Sequence, residues 1–143
     1  MKRIIKFSFK PEKKGFNQLL GKLEEKILLV LWQEKEVTGR EIFEKISQEK
    51  KIAYTTVLTV LDRLVKKGLV IKDKKGEVYS YRAAFNKNEF TDYISQQILR
   101  GVFDLSERAT FSSFVEILSE FDPQRLDLLS SIINRKKREL KGK

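Results

Sequence analysis

The sequence predicts a mainly α fold that carries one small β-hairpin. Apolar residues recur at helical spacing through most of the chain, as at Val57, Val60, Leu61 and Leu64. At about 100° per residue these four fall on one stripe. One stretch breaks the pattern. Leu69–Asp73 and the alternating Val78–Arg82 flank a turn at Lys74-Lys75-Gly76-Glu77, which reads as two strands of a hairpin. The length of 143 residues and the 41% apolar content fit one domain, or one domain with an oligomerisation appendage.

Taken in order, residues 1–20 form a basic arm. Ile5, Phe7 and Phe9 alternate with polar residues, which predicts a short strand, and Pro11 and Gly15 then break the chain. Leu23, Ile27, Val30 and Leu31 predict a first helix over about 21–34. Leu28, Leu29 and Trp32 make it apolar nearly all round, so it should be buried, with Trp32 in the core. Thr38-Gly39-Arg40-Glu41 is a capping box that opens a second helix to about 49, with Ile42, Phe43 and Ile46 on its apolar side. A third helix spans about 53–67 and stops at Gly68. The order of helix, short extended piece, helix, helix and hairpin is that of a winged helix-turn-helix, placed at 21–84.

Residues 85–143 read as helical again. Asn86 with Glu89 starts a long helix through Phe90, Ile94, Ile98, Val102 and Phe103. A second helix carries Phe111, Phe114, Val115, Leu118 and Phe121. Asp122 followed by Pro123 opens a third, with Leu126, Leu129, Ile132 and Ile133. These helices are too apolar and too few to close a domain, which predicts interleaving with a second copy. The residues expected at that interface are Phe90, Ile94, Ile98, Phe103, Phe111, Phe114, Val115, Leu118, Leu126, Leu129 and Ile133.

The formal net charge is +10, and its distribution is more informative than its sum. Residues 1–20 and residues 135–143 each carry six basic and one acidic side chain. Between them, residues 45–82 are net +6 and residues 83–134 net −4. The excess in the body is therefore focused on the third helix and its flanks, which points to an anionic partner. The chain has no cysteine and no histidine. That removes disulfides, thiolate metal sites and cysteine nucleophiles, together with the commonest general base and the commonest metal ligand. The glycines are scattered, with no phosphate-cradling loop. No enzyme activity, cofactor or metal is expected. No apolar run approaches the ~20 residues of a membrane span. The amino terminus does not read as a signal peptide, so the chain is expected in the cytoplasm.

The third helix has a polar face of Thr55, Thr56, Thr59, Asp62, Arg63 and Lys66. Threonine is a poor helix former, so three on one exposed face suggest a surface that admits only short side chains. A helix entering the major groove meets that condition, because the hydroxyl reaches phosphates or base edges and the methyl meets thymine. Tyr54, Thr55 and Thr56 sit where free helical N–H groups meet a phosphate. Thr59 and Arg63 lie further along, and Arg63 suits either guanine or phosphate. Lys66 and Lys67 should reach the backbone. Lys72, Lys74 and Lys75 on the hairpin would track an adjacent groove, and Thr38 and Arg40 meet the backbone at the start of the second helix. Asp62 is expected in a structural ion pair. The competing reading is a winged-helix protein-interaction module with only non-specific nucleic-acid affinity.

The run Ala53-Tyr54-Thr55-Thr56-Val57, continued by Leu61-Asp62-Arg63-Leu64-Val65-Lys66-Lys67-Gly68-Leu69-Val70, resembles the penicillinase repressor family. So do Leu20-Gly21-Lys22-Leu23-Glu24, Leu31-Trp32 and Val37-Thr38-Gly39-Arg40-Glu41-Ile42. The resemblance implies a homodimeric repressor that binds double-stranded DNA at an inverted-repeat (palindromic) operator, with the carboxy-terminal helices forming the dimer. It also implies induction by proteolysis between an Asn and a Phe. The comparable position here is Ser113-Phe114, which lacks the Asn, and no protease is identified. Copper-responsive relatives sense through a cysteine cluster that this chain lacks.

Overall fold

The computed structural model describes residues 5–142. They fall into two units, divided between Tyr93 and Ile94.

In the first unit, helix α1 (Lys22–Gln33) buries Ile27, Leu28 and Leu31 against helix α2 (Gly39–Ser47), helix α3 (Tyr54–Lys66) and the sheet. It is not buried all round: Leu29 is 38% exposed, because the neighbours cover only one side of the helix. Glu24 occupies the buried stripe in its place, 4% exposed. Helix α2 starts as its capping box requires. Thr38 Oγ1 accepts the Glu41 N–H at 3.1 Å and Glu41 Oε1 accepts the Thr38 N–H at 3.0 Å. Helix α3 buries Val57, Val60, Leu61 and Leu64 and ends at Gly68, whose φ of +85° continues the chain without the Cβ clash of other residues.

Strands β1 (Val37–Thr38), β2 (Val70–Lys75) and β3 (Val78–Ala83) form an antiparallel sheet in the order β1-β3-β2. Strand β2 runs two residues further than expected, so that Lys75 pairs with Val78. The turn is therefore only Gly76-Glu77. Gly76 has φ +66°, while no non-glycine residue among those described has a positive φ, the pattern of a type II′ turn.

The arm does not form a strand over residues 5–9. A ladder needs a neighbouring strand edge, and the Lys6 N–H instead bonds the Lys67 carbonyl at the end of α3, at 3.0 Å. Ile5 is buried, 4% exposed. The arm then folds on itself: the Lys10 N–H donates to the Gln18 carbonyl at 2.8 Å, ahead of a 3-10 turn at Gly15–Gln18. The rings of Phe16, Trp32 and Phe90 meet pairwise at 5.4–5.9 Å, and Trp32 Nε1 donates to the Phe85 carbonyl at 2.9 Å.

Phe90 belongs to that cluster. It is completely buried in the first unit's core, which removes it from the surface a second copy could touch. Phe16 sits in the arm, so sequence periodicity along the 87–105 helix alone could not reveal its partner.

Helix α4 (Lys87–Leu105) opens with a reciprocal cap between Asn86 and Glu89. In the second unit, helix α5 (Glu107–Phe121) is capped by Ser106, whose Oγ accepts the Ala109 N–H at 3.0 Å. Helix α6 (Gln124–Lys141) follows Pro123, with Asp122 Oδ1 accepting the Gln124 N–H at 3.0 Å. The basic tail is helical through Lys141. Helices α5 and α6 pack on each other, yet neither buries a residue.

Candidate nucleic-acid interface

The packing of α3 fixes which of its side chains face outward. With Val57, Val60, Leu61 and Leu64 buried, Thr55, Thr56, Thr59, Asp62, Arg63 and Lys66 are exposed along the opposite face. Thr59 Oγ1 donates to the Thr55 carbonyl one turn back, at 2.9 Å. Its proton is thus engaged, while the residue remains exposed. Among the described residues, the Thr55 and Thr56 hydroxyls and the Arg63 and Lys66 charges have no partner.

The remaining predicted contacts are held by neighbours. The Tyr54 ring is half-buried, edge-on to Phe43 at 5.5 Å, and the Arg40 guanidinium lies 5.4 Å from both ring centroids. Arg40 Nε is also 3.7 Å from Glu44. Gly39 permits this close junction of α2 and α3, since a Cβ there would stand 2.9 Å from Leu58 Cδ2. Thr38 caps α2, and its backbone N–H, then its hydroxyl, holds the Glu41 carboxyl below the usual range.

On the hairpin, Lys72 Nζ lies 3.6 Å from Asp62 and 4.3 Å above the Tyr79 ring. Asp62 therefore does form an ion pair, and the pair ties α3 to the wing. Burial pulls the Lys72 ammonium down, but Tyr81 and Asp62 outweigh it and the group titrates above its ordinary value. Burial pushes the Tyr81 phenol up. Lys75 Nζ is 2.8 Å from Glu36, which also accepts the Ser80 hydroxyl at 2.6 Å. Those two donors, Lys75 first, hold the Glu36 carboxyl low. Among the described residues, Lys74 meets only the Tyr79 ring, at 5.9 Å.

Lys67 is set apart from the exposed face. Its ammonium is 2.7 Å from the buried Glu24, whose other oxygen accepts the Gly21 N–H at 2.8 Å. Glu24 and Glu36 escaped the sequence reading. Glu24 did leave a signal: it lies three, four and seven residues before Ile27, Leu28 and Leu31, on the apolar stripe, where a carboxylate requires a cation.

Among the described residues, no group of three or more acidic side chains is placed to hold a metal, and no helix is long and apolar enough to cross a membrane.

Three helices, a hairpin wing and a hydroxyl-lined third helix ending in unpaired cations are the build of a winged helix-turn-helix DNA-binding protein. Residues 20–135 match the penicillinase repressor family, and the chain belongs to that family of DNA-binding transcriptional repressors. It is 34% identical over 99 residues to the transcriptional regulator BlaI of Mycobacterium tuberculosis, covering 68% of this chain and 72% of that one. It is 21% identical over 117 residues to the methicillin resistance regulatory protein MecI of Staphylococcus aureus, covering 82% and 94%. Among solved structures, the DNA-binding domain of the repressor BlaI aligns with TM-score 0.45 and 25% identity, over 54% of this chain and 93% of that one. Bacillus licheniformis BlaI in monomeric form, in complex with the blaP half-operator, aligns with TM-score 0.44 and 24% identity, over 49% and 85%.

Proposed function

We propose that this chain represses transcription as a cytoplasmic homodimer on an inverted-repeat DNA operator, each first unit reading one half-site. The observation that carries the reading is the outward face of α3. Thr55, Thr56 and Thr59 keep it low and polar, and Arg63 and Lys66 end it with charges that no described residue neutralises. A face of that relief fits a groove ~12 Å wide, and unpaired cations favour phosphate. Asp62–Lys72 and Glu36–Lys75 brace the wing beside it, so Lys74 is the wing cation most available to the backbone.

The dimer is supported by the second unit's surface. Phe111 is 58% exposed, Phe121 65% and Leu128 61%, on two helices that bury nothing of their own. An apolar surface this rich needs a cover, and a copy of the same helices supplies one of matching chemistry. Ile98, Phe103, Phe114, Val115, Leu118, Leu126, Leu129 and Ile133 are assigned to it; Ile94, already buried, contributes at most indirectly. Ser113-Phe114 lies within helix α5, where a protease would first have to unwind the backbone.

The test is a titration of the full chain against a palindromic duplex and a random duplex at several salt concentrations. Specific repression predicts tighter binding to the palindrome, with affinity falling steeply as salt rises. Equal affinity for both duplexes would overturn it in favour of non-specific association.

A further inference from the structure

The family match covers residues 20–135, and the folded arm lies before it. With the start of α1 and the end of α3, that arm forms an open-sided cavity of about 570 Å³, within the size range of small-molecule sites. Lys6, Lys10, Lys13, Lys22 and Lys67 line it, with Glu24 as the one carboxylate. Glu24 is already engaged by Lys67 and the Gly21 N–H. Among the described residues, Lys6, Lys10, Lys13 and Lys22 have no ion-pair partner.

The scaffold is formed in advance. The backbone of Lys10 is held by its N–H bond to the Gln18 carbonyl, and that of Lys13 by its N–H bond to the Lys10 carbonyl at 3.0 Å. The Asn17 side chain ties the loop to Glu25 on α1 at 3.1 Å. The four ammonium groups are exposed, so water screens their mutual repulsion, and an anion seated among them would meet several cations at once. Phe7 and Leu20 supply apolar wall between them.

We propose that this cavity is a phosphate-binding site, built by the arm and reaching Lys67 at the end of α3. The lysines match the chemistry of a phosphate group with several anionic oxygens, since each ammonium supplies charge-assisted hydrogen bonds. Two sources share that chemistry: a free phosphorylated small molecule, and a phosphate of the bound duplex. The concave, partly apolar shape favours the small molecule.

The test uses tripolyphosphate as probe, with the full chain at constant ionic strength and binding followed by calorimetry. Lys10→Gln with Lys13→Gln should weaken binding by about tenfold or more, two charge-assisted contacts being lost. Lys50→Gln with Lys51→Gln removes the same charge outside the cavity and should leave binding within about twofold of wild type. Equal weakening by both pairs, or no measurable binding by the wild type at millimolar probe together with an unchanged duplex salt slope in the arm variant, would overturn the site. A duplex salt slope reduced by about two in the arm variant would assign the phosphates to DNA. An unchanged slope with selective loss of tripolyphosphate would assign them to a free ligand.

Discussion

Lys67 follows the end of α3 with its ammonium 2.7 Å from the carboxylate of Glu24, 43 positions earlier in the chain. The carboxylate is buried and the ammonium reaches solvent only in part. Removing the cation would leave an unpaired buried charge, the costliest way to break such a pair. Lys67→Met should therefore destabilise the fold by about 3 kcal/mol, read by denaturant unfolding. In the folded variant the salt slope of DNA binding should not change, because Lys67 is spent on Glu24. A slope reduced by about one would return Lys67 to the phosphate contacts.

Lys66, one residue earlier, has no partner among the described residues. Lys66→Met should leave stability within about 0.5 kcal/mol of wild type. It should weaken all duplexes alike and lower the salt slope by about one. The neighbouring lysines thus make opposite predictions, and the two measurements together separate packing from phosphate contact.

Thr59 should act through its methyl group, because its hydroxyl proton already serves the Thr55 carbonyl. Thr59→Ala should cost about 1–3 kcal/mol of discrimination between operator and random duplex, if the methyl meets a base. Thr59→Val keeps a methyl at that place and should retain most of the discrimination. Equal losses in the two variants, measured by competition binding, would assign the role to the oxygen.

Much of this framework was legible in the sequence, and the reasons are local. The capping box at Thr38 and Glu41, the stop at Gly68 and the Asp122-Pro123 start each act within a few residues, so a linear reading finds them. What escaped depends on distance along the chain. Ile5 enters the core instead of joining a strand, Phe90 meets Phe16, and Glu24 and Glu36 find lysines on remote elements. Alternation at Ile5, Phe7 and Phe9 suggested a strand because periodicity cannot report whether a free strand edge stands nearby. For the interface, the identity of the outward threonines was readable, while the division of the lysines into paired and unpaired was not.

The wing clasp has a pH signature. Lys75 and Ser80 hold the Glu36 carboxyl below its ordinary value of 4.5. A carboxyl lowered by folding adds stability above its unfolded value and loses it as pH falls through the folded one. Wild type should thus lose stability on acidification partly through this group, and Glu36→Gln should show a shallower fall between about pH 6 and about pH 3. Thermal unfolding across that window measures it, and parallel curves for the two proteins would remove Glu36 from the account.

Gly39 sets the junction of α2 with α3. A Cβ would press on Leu58 Cδ2 from 2.9 Å, at the end of a flexible side chain. Gly39→Ala should cost about 1 kcal/mol of stability, with Leu58 repacking. Operator affinity should fall further than stability, since α3 turns with Leu58. A variant that keeps operator affinity unchanged would show that the junction does not govern presentation of the helix.

The central claim is a dimer that reads an inverted repeat through α3. Selection of bound sequences from a random duplex pool by the full chain tests it most directly. The account predicts enrichment of one motif with two inverted halves, their centres separated by a whole number of helical turns, about 10 base pairs each. Recovery of unenriched sequence, or of a single half-site without its inverted partner, would contradict it.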